Sequence, residues 1–140
     1  MAVNQDATDA LAQVARLIQE GQDRRAREHG VSPTLALLLD ALSDRVPTIN
    51  ELAELLVLDK SSTSGLVDRA QRRGLVRRVP SQRDRRAVRV RLTADGRELA
   101  QELRVAQTTD IAALLEPLSS TDSQALSASL SRILAVNTHR

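Results

Sequence analysis

The sequence predicts a mainly helical fold with one small two-stranded β-hairpin, in the order α-α-α-α-β-β-α-α. Three observations predict it. Apolar residues recur at helical spacing along most of the chain, β-branched residues alternate with arginines between about 75 and 92, and capping residues separate the segments. With 140 residues and 41% apolar side chains, the chain has the size and composition of one domain.

The first predicted helix runs from Asp6 to about Glu28, because apolar residues recur along it at helical spacing. Gly30 would end this helix. Ser32 followed by Pro33 is typical of an N-cap and a first helical position, and it predicts a second helix to about Leu42. That helix is rich in Leu and Ala on most sides, which indicates a central place in the core.

Two further helices are predicted close together. The capping-box pattern of Thr48 and Glu51 predicts a third helix to about Leu56. Asp59 is a typical N-cap for a fourth helix, which Gly74 would end. Because only a few residues separate these two helices, they are expected to form a helix-turn-helix.

A hairpin and two more helices complete the predicted fold. The strands are predicted at 75–79 and 87–92, joined by a loop over 80–86. Val88, Val90 and Leu92 would then share one face of the hairpin. Thr93 is expected to cap a long fifth helix, and Ser119 a sixth.

Positive charge is concentrated in the middle of the chain. Residues 60–91 hold 11 basic and 2 acidic side chains, a net charge of +9, whereas residues 1–59 have a net charge of −5 and residues 92–140 one of −2. A solvated surface would mix the two signs more evenly. The block therefore indicates a polyanionic partner, of which a nucleic acid is the usual example.

The composition excludes several classes of function. Without Cys there is no disulfide, thiolate metal site or thiol switch, and without Phe, Tyr or Trp no side chain can stack on a base. His29 and His139 are too few for a histidine metal cluster. We therefore expect no cofactor and no enzyme. The sequence also lacks a leader pattern and a membrane-spanning segment, so a cytoplasmic protein is expected.

Two segments resemble the MarR family of bacterial transcription regulators. Residues 84–96, from Asp84 to Gly96, closely resemble the wing of that family, and residues 59–76 resemble its recognition helix and the entry to the wing. The resemblance implies a winged helix-turn-helix lobe at 31–96 and dimerisation helices at 1–30 and 97–140. The chain departs from the family pattern at Val57, Gly65 and Ala70, and Gly65 stands where a larger side chain is usual.

The resemblance and the charge pattern together predict a DNA-binding surface. Small hydroxyl residues in the first turn of the fourth helix would approach phosphates and base edges, and basic residues would contact the DNA backbone. At the wing tip Arg86 would enter the minor groove, oriented by Asp84. The predicted residues are Lys60, Ser61, Ser62, Thr63, Ser64, Arg69, Arg72 and Arg73 in the helix and Arg83, Asp84, Arg85, Arg86 and Arg89 in the wing.

Each of these predictions has a simpler alternative. Serines are common at helix starts for capping reasons alone, and an Asp–Arg pair in an exposed turn can be an ordinary surface ion pair. The terminal helices have apolar stripes that their own chain is too short to cover, which predicts a dimer, although a compact monomer is the alternative. The predicted dimer residues are Leu11, Val14, Ile18, Leu114, Leu126, Leu130, Ile133 and Leu134.

The expected function is sequence-specific regulation of transcription, with double-stranded DNA and a second copy of the chain as partners. Two-fold related recognition helices would occupy successive major grooves of a pseudo-palindromic operator, most commonly to repress. The alternative is a winged-helix interaction or RNA-binding module without operator specificity. The resemblance also implies a possible small-molecule effector, for which no site is assigned.

Overall fold

A computed structural model of the chain describes residues 5–83 and 86–138. The predicted fold class and element order are confirmed. The chain forms two compact units that divide between Gln107 and Thr108. The elements are α1 (Gln5–Glu28), α2 (Pro33–Ala41), α3 (Ile49–Leu56), α4 (Lys60–Arg72), β1 (Val76–Pro80), β2 (Val88–Leu92), α5 (Ala94–Leu115) and α6 (Ser120–Asn137).

The predicted caps are present at the helix starts. The Ser32 hydroxyl accepts from the Leu35 amide at 3.1 Å at the start of α2. At the start of α3 the capping box is complete: the Thr48 hydroxyl accepts from the Glu51 amide at 3.2 Å, and the Glu51 carboxylate accepts from the Thr48 amide at 3.1 Å. Ser119 caps α6 in the same way. These local bonds fix where each helix begins.

The hairpin pairs β1 with β2 antiparallel, with Val76 opposite Leu92 and Pro80 opposite Val88. A third segment, which the sequence did not predict, joins β2 from the other side: the Val90 amide donates to the Pro47 carbonyl at 2.9 Å, and Thr48 forms a bridge with Arg89. The wing is thereby attached to the start of α3. Val88 is exposed, unlike Val90 and Leu92, because it lies at the end of the strand beyond the core.

The hydrophobic residues of the core of the first unit are all aliphatic. The core brings together α2, α3, α4 and the hairpin, and it includes Ala26 of α1 and Ala100 of α5. Since the chain has no aromatic residue, several leucines fill the volume that aromatic rings would otherwise occupy. The largest fully buried side chains are Leu38, Leu39, Leu52, Leu66, Val67, Val76, Val90 and Thr63.

The second unit contains the end of α5 and all of α6. No residue of α6 is buried; Leu130, Ile133 and Leu134 are exposed in the single chain, and Leu126 is half-buried. In the part of the chain that is described, none of the helices combines the length and apolar character that a membrane span requires.

Val57 ends α3 in the left-handed conformation, with φ of 53°. A β-branched residue is strained there, and Val57 gains no packing in return because its side chain is 89% exposed. We expect Val57→Gly to raise the free energy of unfolding by about 1 kcal/mol, since relief of strain exceeds the added entropy of the unfolded chain. Urea unfolding followed by circular dichroism measures this change. Val57→Ala retains the positive φ, and an equal gain from it would contradict the strain argument.

Candidate nucleic-acid interface

Helix α4 has one buried and one exposed side. Leu66, Val67 and Ala70 pack into the core, and this fixes the rotation of the helix about its axis. Helical geometry then places Ser61, Gly65 and Arg72 on the opposite side. Small residues therefore lie at the centre of the outward side over the first half of the helix.

Basic side chains lie along α4 and at its C-cap. Within the described residues, none of the four basic side chains of α4 and its C-cap makes an ion pair or a side-chain hydrogen bond, because Asp68 on the same helix pairs with Arg78 instead. Unpaired cations clustered on one helix are a favourable site for phosphates. The four residues are Lys60, Arg69, Arg72 and Arg73, all predicted from the sequence and all exposed.

The N-terminus of α4 is occupied by Asp59, which changes one prediction. One carboxylate oxygen of Asp59 accepts from the Ser62 amide at 2.7 Å, and the other accepts from the Ser62 hydroxyl at 2.8 Å. These two bonds, the amide first, lower the pKa of Asp59. A carboxylate at this position satisfies the amide that a phosphate would need and repels the phosphate charge. The helix N-terminus is thus capped internally, and the predicted phosphate contact at Ser62 is not favoured.

Thr63 requires a second correction. Its side chain has no exposed surface, and its hydroxyl donates to the Asp59 carbonyl at 2.9 Å inside the core. It therefore cannot reach a base edge, and it belongs to the packing of α4. Ser61 is exposed and Ser64 half-buried, and neither hydroxyl has a hydrogen-bond partner among the described residues. They remain the serines that can contact DNA.

The Asp59 cap predicts a dependence of stability on pH. Because the folded state lowers the pKa of Asp59, the stability that its charge contributes is present above the ordinary pKa of 3.8. It is lost as the pH falls through the lowered pKa. We expect Asp59→Asn, which retains a capping oxygen, to reduce the fall in melting temperature between pH 5 and pH 2. Asp9→Asn removes the same charge from α1, and an equal effect from it would indicate a net-charge effect and no role of the cap.

The wing is linked to α4 by Arg78, a residue that sequence reasoning missed. Its guanidinium donates to Asp68 and to Gln71, each at 2.7 Å, from β1 across to α4. The partners are 10 and 7 residues away, so no local sequence pattern identifies them. The effect is that α4 and the wing are held together, and the Asp68 carboxylate is neutralised on the basic surface.

The predicted wing residues differ in exposure and in their partners. Asp84 and Arg85 lie outside the described residues, whereas Arg83 and Arg86 are exposed. The predicted DNA contact of Arg89 is corrected, because Arg89 is half-buried and its guanidinium donates to the Val46 carbonyl at 2.9 Å. The same group lies 3.7 Å from the carboxylate of Glu51. It therefore attaches the wing to the start of α3 and is not available to DNA.

Arg77 and Arg91 form a second pair of residues that the sequence reasoning did not select. The register places them directly opposite each other, both exposed, and neither has a partner among the described residues. Like charges at such a position are unfavourable without an anion nearby.

The described residues contain no group of His, Cys, Asp or Glu able to hold a metal ion.

Comparison with known proteins places this geometry in a family. A model described as MarR family matches residues 29–87. The HTH-type transcriptional regulator YsmB of Bacillus subtilis, itself uncharacterised, is 31% identical over 99 residues, which cover 70% of this chain and 68% of YsmB. The chain belongs to the MarR family. It is a transcription regulator with a winged-helix DNA-binding fold.

Two other matches show how far the likeness extends. The transcriptional activatory protein BadR of Rhodopseudomonas palustris is 31% identical over 99 residues, covering 66% of this chain and 55% of BadR. The crystal structure of wild-type MarR from Escherichia coli, in its apo form, has a TM-score of 0.77 at 18% identity, covering 96% of this chain and 99% of that one. At this identity the structural match confirms the winged-helix fold.

Proposed function

We propose that this MarR-family regulator is a homodimer that binds a pseudo-palindromic operator and represses transcription. Its two α4 helices would occupy successive major grooves, with half-site centres about 10 base pairs apart. The observation that supports this most directly is the surface of α4, where small residues lie among unpaired cations. Small residues let the helix enter the groove, and Lys60 and Arg72 are placed to reach the phosphates on either side.

The dimer is supported by apolar surface that the single chain leaves exposed. On α1 Leu11 and Val14 are exposed, and on α6 so are Leu130, Ile133 and Leu134. A monomer rarely exposes this much apolar surface on two terminal helices, and a second copy would cover it. Residues 1–30 and 97–140 are thus the proposed dimerisation segments and residues 31–96 the proposed DNA-binding lobe.

The dimer is tested by size-exclusion chromatography with light scattering. Leu134→Asp places a charge in the proposed interface, on a side chain that is 59% exposed and contributes nothing to the core. We expect a monomer at micromolar concentration and a matching loss of operator affinity. Leu55→Asp, on an exposed position of α3, is the control and should remain dimeric. A dimeric Leu134→Asp chain would contradict the proposed interface.

In the wing, we propose that Arg83, Arg85 and Arg86 contact DNA and that Asp84 orients Arg86. Arg86 would enter the minor groove, whose negative potential is strongest in A·T-rich sequence. The Arg78 bonds to α4 support this assignment, because they couple the orientation of the wing to that of the recognition helix. Loss of operator preference in Arg86→Ala is the expected result.

A small-molecule effector is also part of the proposal, with its identity open. A cleft between α1, α2 and α5 is lined by Arg25, Leu37 and Arg104. Arg25 already pairs with Glu28 and Arg104 with Asp40, each at 3.3 Å. An anionic effector would have to displace one of these carboxylates, and no aromatic residue is present to stack on it.

We propose a cytoplasmic regulator without enzymatic activity.

The central experiment titrates the purified chain against three duplexes: the DNA upstream of its own gene, a scrambled DNA of the same composition, and RNA of the same sequence. We expect two chains per DNA duplex and at least about 1000-fold preference for the native DNA. Equal weak binding to both DNAs would instead indicate an architectural role. Equal binding to RNA would favour an interaction module, because the deep, narrow major groove of RNA excludes a recognition helix. Reporter transcription with and without the protein separates repression from activation.

A further inference from the structure

The side chain of Arg69 lies over Gly65, one helical turn earlier in α4. A Cβ added at Gly65 would be 3.5 Å from the Nη1 atom of Arg69, and outside the nearby backbone of α4 and the two adjacent residues no other described atom comes within 4 Å of that point. Long side chains on a helix lean towards its N-terminus, so the guanidinium covers the surface that a larger residue at 65 would fill. The open surface at Gly65 therefore leaves room for the guanidinium, which a side chain longer than that of alanine would displace.

The charges around Arg69 leave its guanidinium available. The adjacent carboxylate, Asp68, is bound to Arg78 at 2.7 Å, and Arg69 has no hydrogen bond or ion pair within the described residues. The hydroxyl of Ser62 donates to Asp59 and so does not compete either. All five donors of the Arg69 guanidinium are thus free on the basic side of α4.

We propose that Arg69 is a specificity-determining residue that recognises a guanine in each half-site of the operator. This inference rests on the proposed binding of α4 in the major groove. There, guanine presents two acceptors, N7 and O6, that match the two-pronged donor geometry of a guanidinium. Ser61 and Gly65 allow the helix backbone to approach the bases closely, which brings Arg69 within reach of them. Arg72 lies further along the helix and contacts phosphate.

The experiment uses the full chain and a 24-base-pair DNA duplex selected by the wild-type protein from a random library. Each guanine in the selected site is replaced in turn by 7-deazaguanine, which removes the N7 acceptor. We expect about tenfold weaker binding at one guanine per half-site, and Arg69→Ala should be insensitive to the replacement at that position. Gly65→Leu, which displaces the guanidinium, should lose the same sensitivity while retaining binding to scrambled DNA.

Arg72→Ala is the matched control, because it removes the same charge from the same helix. It should weaken binding to every duplex by a similar factor and retain the guanine sensitivity of the wild type. If Arg69→Ala behaves like Arg72→Ala, Arg69 contacts phosphate and the inference is wrong, while the proposed function stands. If the wild-type protein selects no common sequence, the proposed function fails and the inference fails with it. Thermal unfolding of each variant establishes that it is folded.

Discussion

Replacing Gly96 with alanine is expected to lower the free energy of unfolding by at least about 3 kcal/mol. Gly96 lies in the first turn of α5, and a Cβ there would be 1.9 Å from the carbonyl oxygen of Leu75 and 2.8 Å from its carbon. The oxygen cannot move aside easily, because it accepts from the Thr93 amide at 3.0 Å. The Thr93 hydroxyl also donates to the Gly74 carbonyl at 2.6 Å, and this bond holds the backbone segment that contains Leu75 in place.

Urea unfolding followed by circular dichroism measures this loss, with Gly65→Ala as the control. Both substitutions add one methyl group to a helical glycine. At Gly65, however, only the flexible end of Arg69 is nearby, so the gain in helix propensity should raise stability by up to about 1 kcal/mol. Opposite signs at the two glycines are thus expected. A Gly96→Ala chain that unfolds at the wild-type urea concentration would contradict the packing of α5 against Leu75.

The helix boundaries could be predicted from the sequence because the interactions that define them are local. Ser32, Thr48, Asp59 and Ser119 each bond to an amide three residues later, so the pattern of a polar residue before an apolar run contains the whole interaction. The position of the recognition helix in the chain followed from the same reasoning. The sequence also indicates which side of α4 is buried. Thr63 precedes the buried Leu66 and Val67 by three and four residues, so it had to lie on the buried side.

The rest of the site depends on contacts between residues that are far apart in the chain. Arg89 binds the Val46 carbonyl 43 residues away, and Arg78 binds Asp68 and Gln71 on another element. A row of arginines on a strand looks uniform in sequence, because spacing alone does not say which of them have protein partners. The structure separates them into arginines that hold the wing in place and arginines that remain on the surface.

The affinity of the regulator for its operator is expected to fall about ten-thousandfold between 50 and 200 mM salt. If each subunit neutralises about four phosphates, the dimer releases about eight counterions, and the logarithm of affinity falls with that of salt with a slope near −7. Fluorescence anisotropy titrations at five salt concentrations measure the slope. The four cations are Lys60, Arg72, Arg73 and Arg83, whose side chains have no protein partner to displace among the described residues.

Removing one of these cations gives the sharper test. Lys60→Ala should make the slope less steep by about 2, because the dimer loses one phosphate contact in each subunit. Arg89→Ala is the contrasting variant: its guanidinium is bound to Val46, so it contacts no phosphate and the slope should stay near −7. In an Arg89→Ala variant that keeps the wild-type melting temperature, a slope as shallow as that of Lys60→Ala would mean that Arg89 leaves its protein partners and contacts phosphate when DNA binds, which contradicts its assignment to the protein interior.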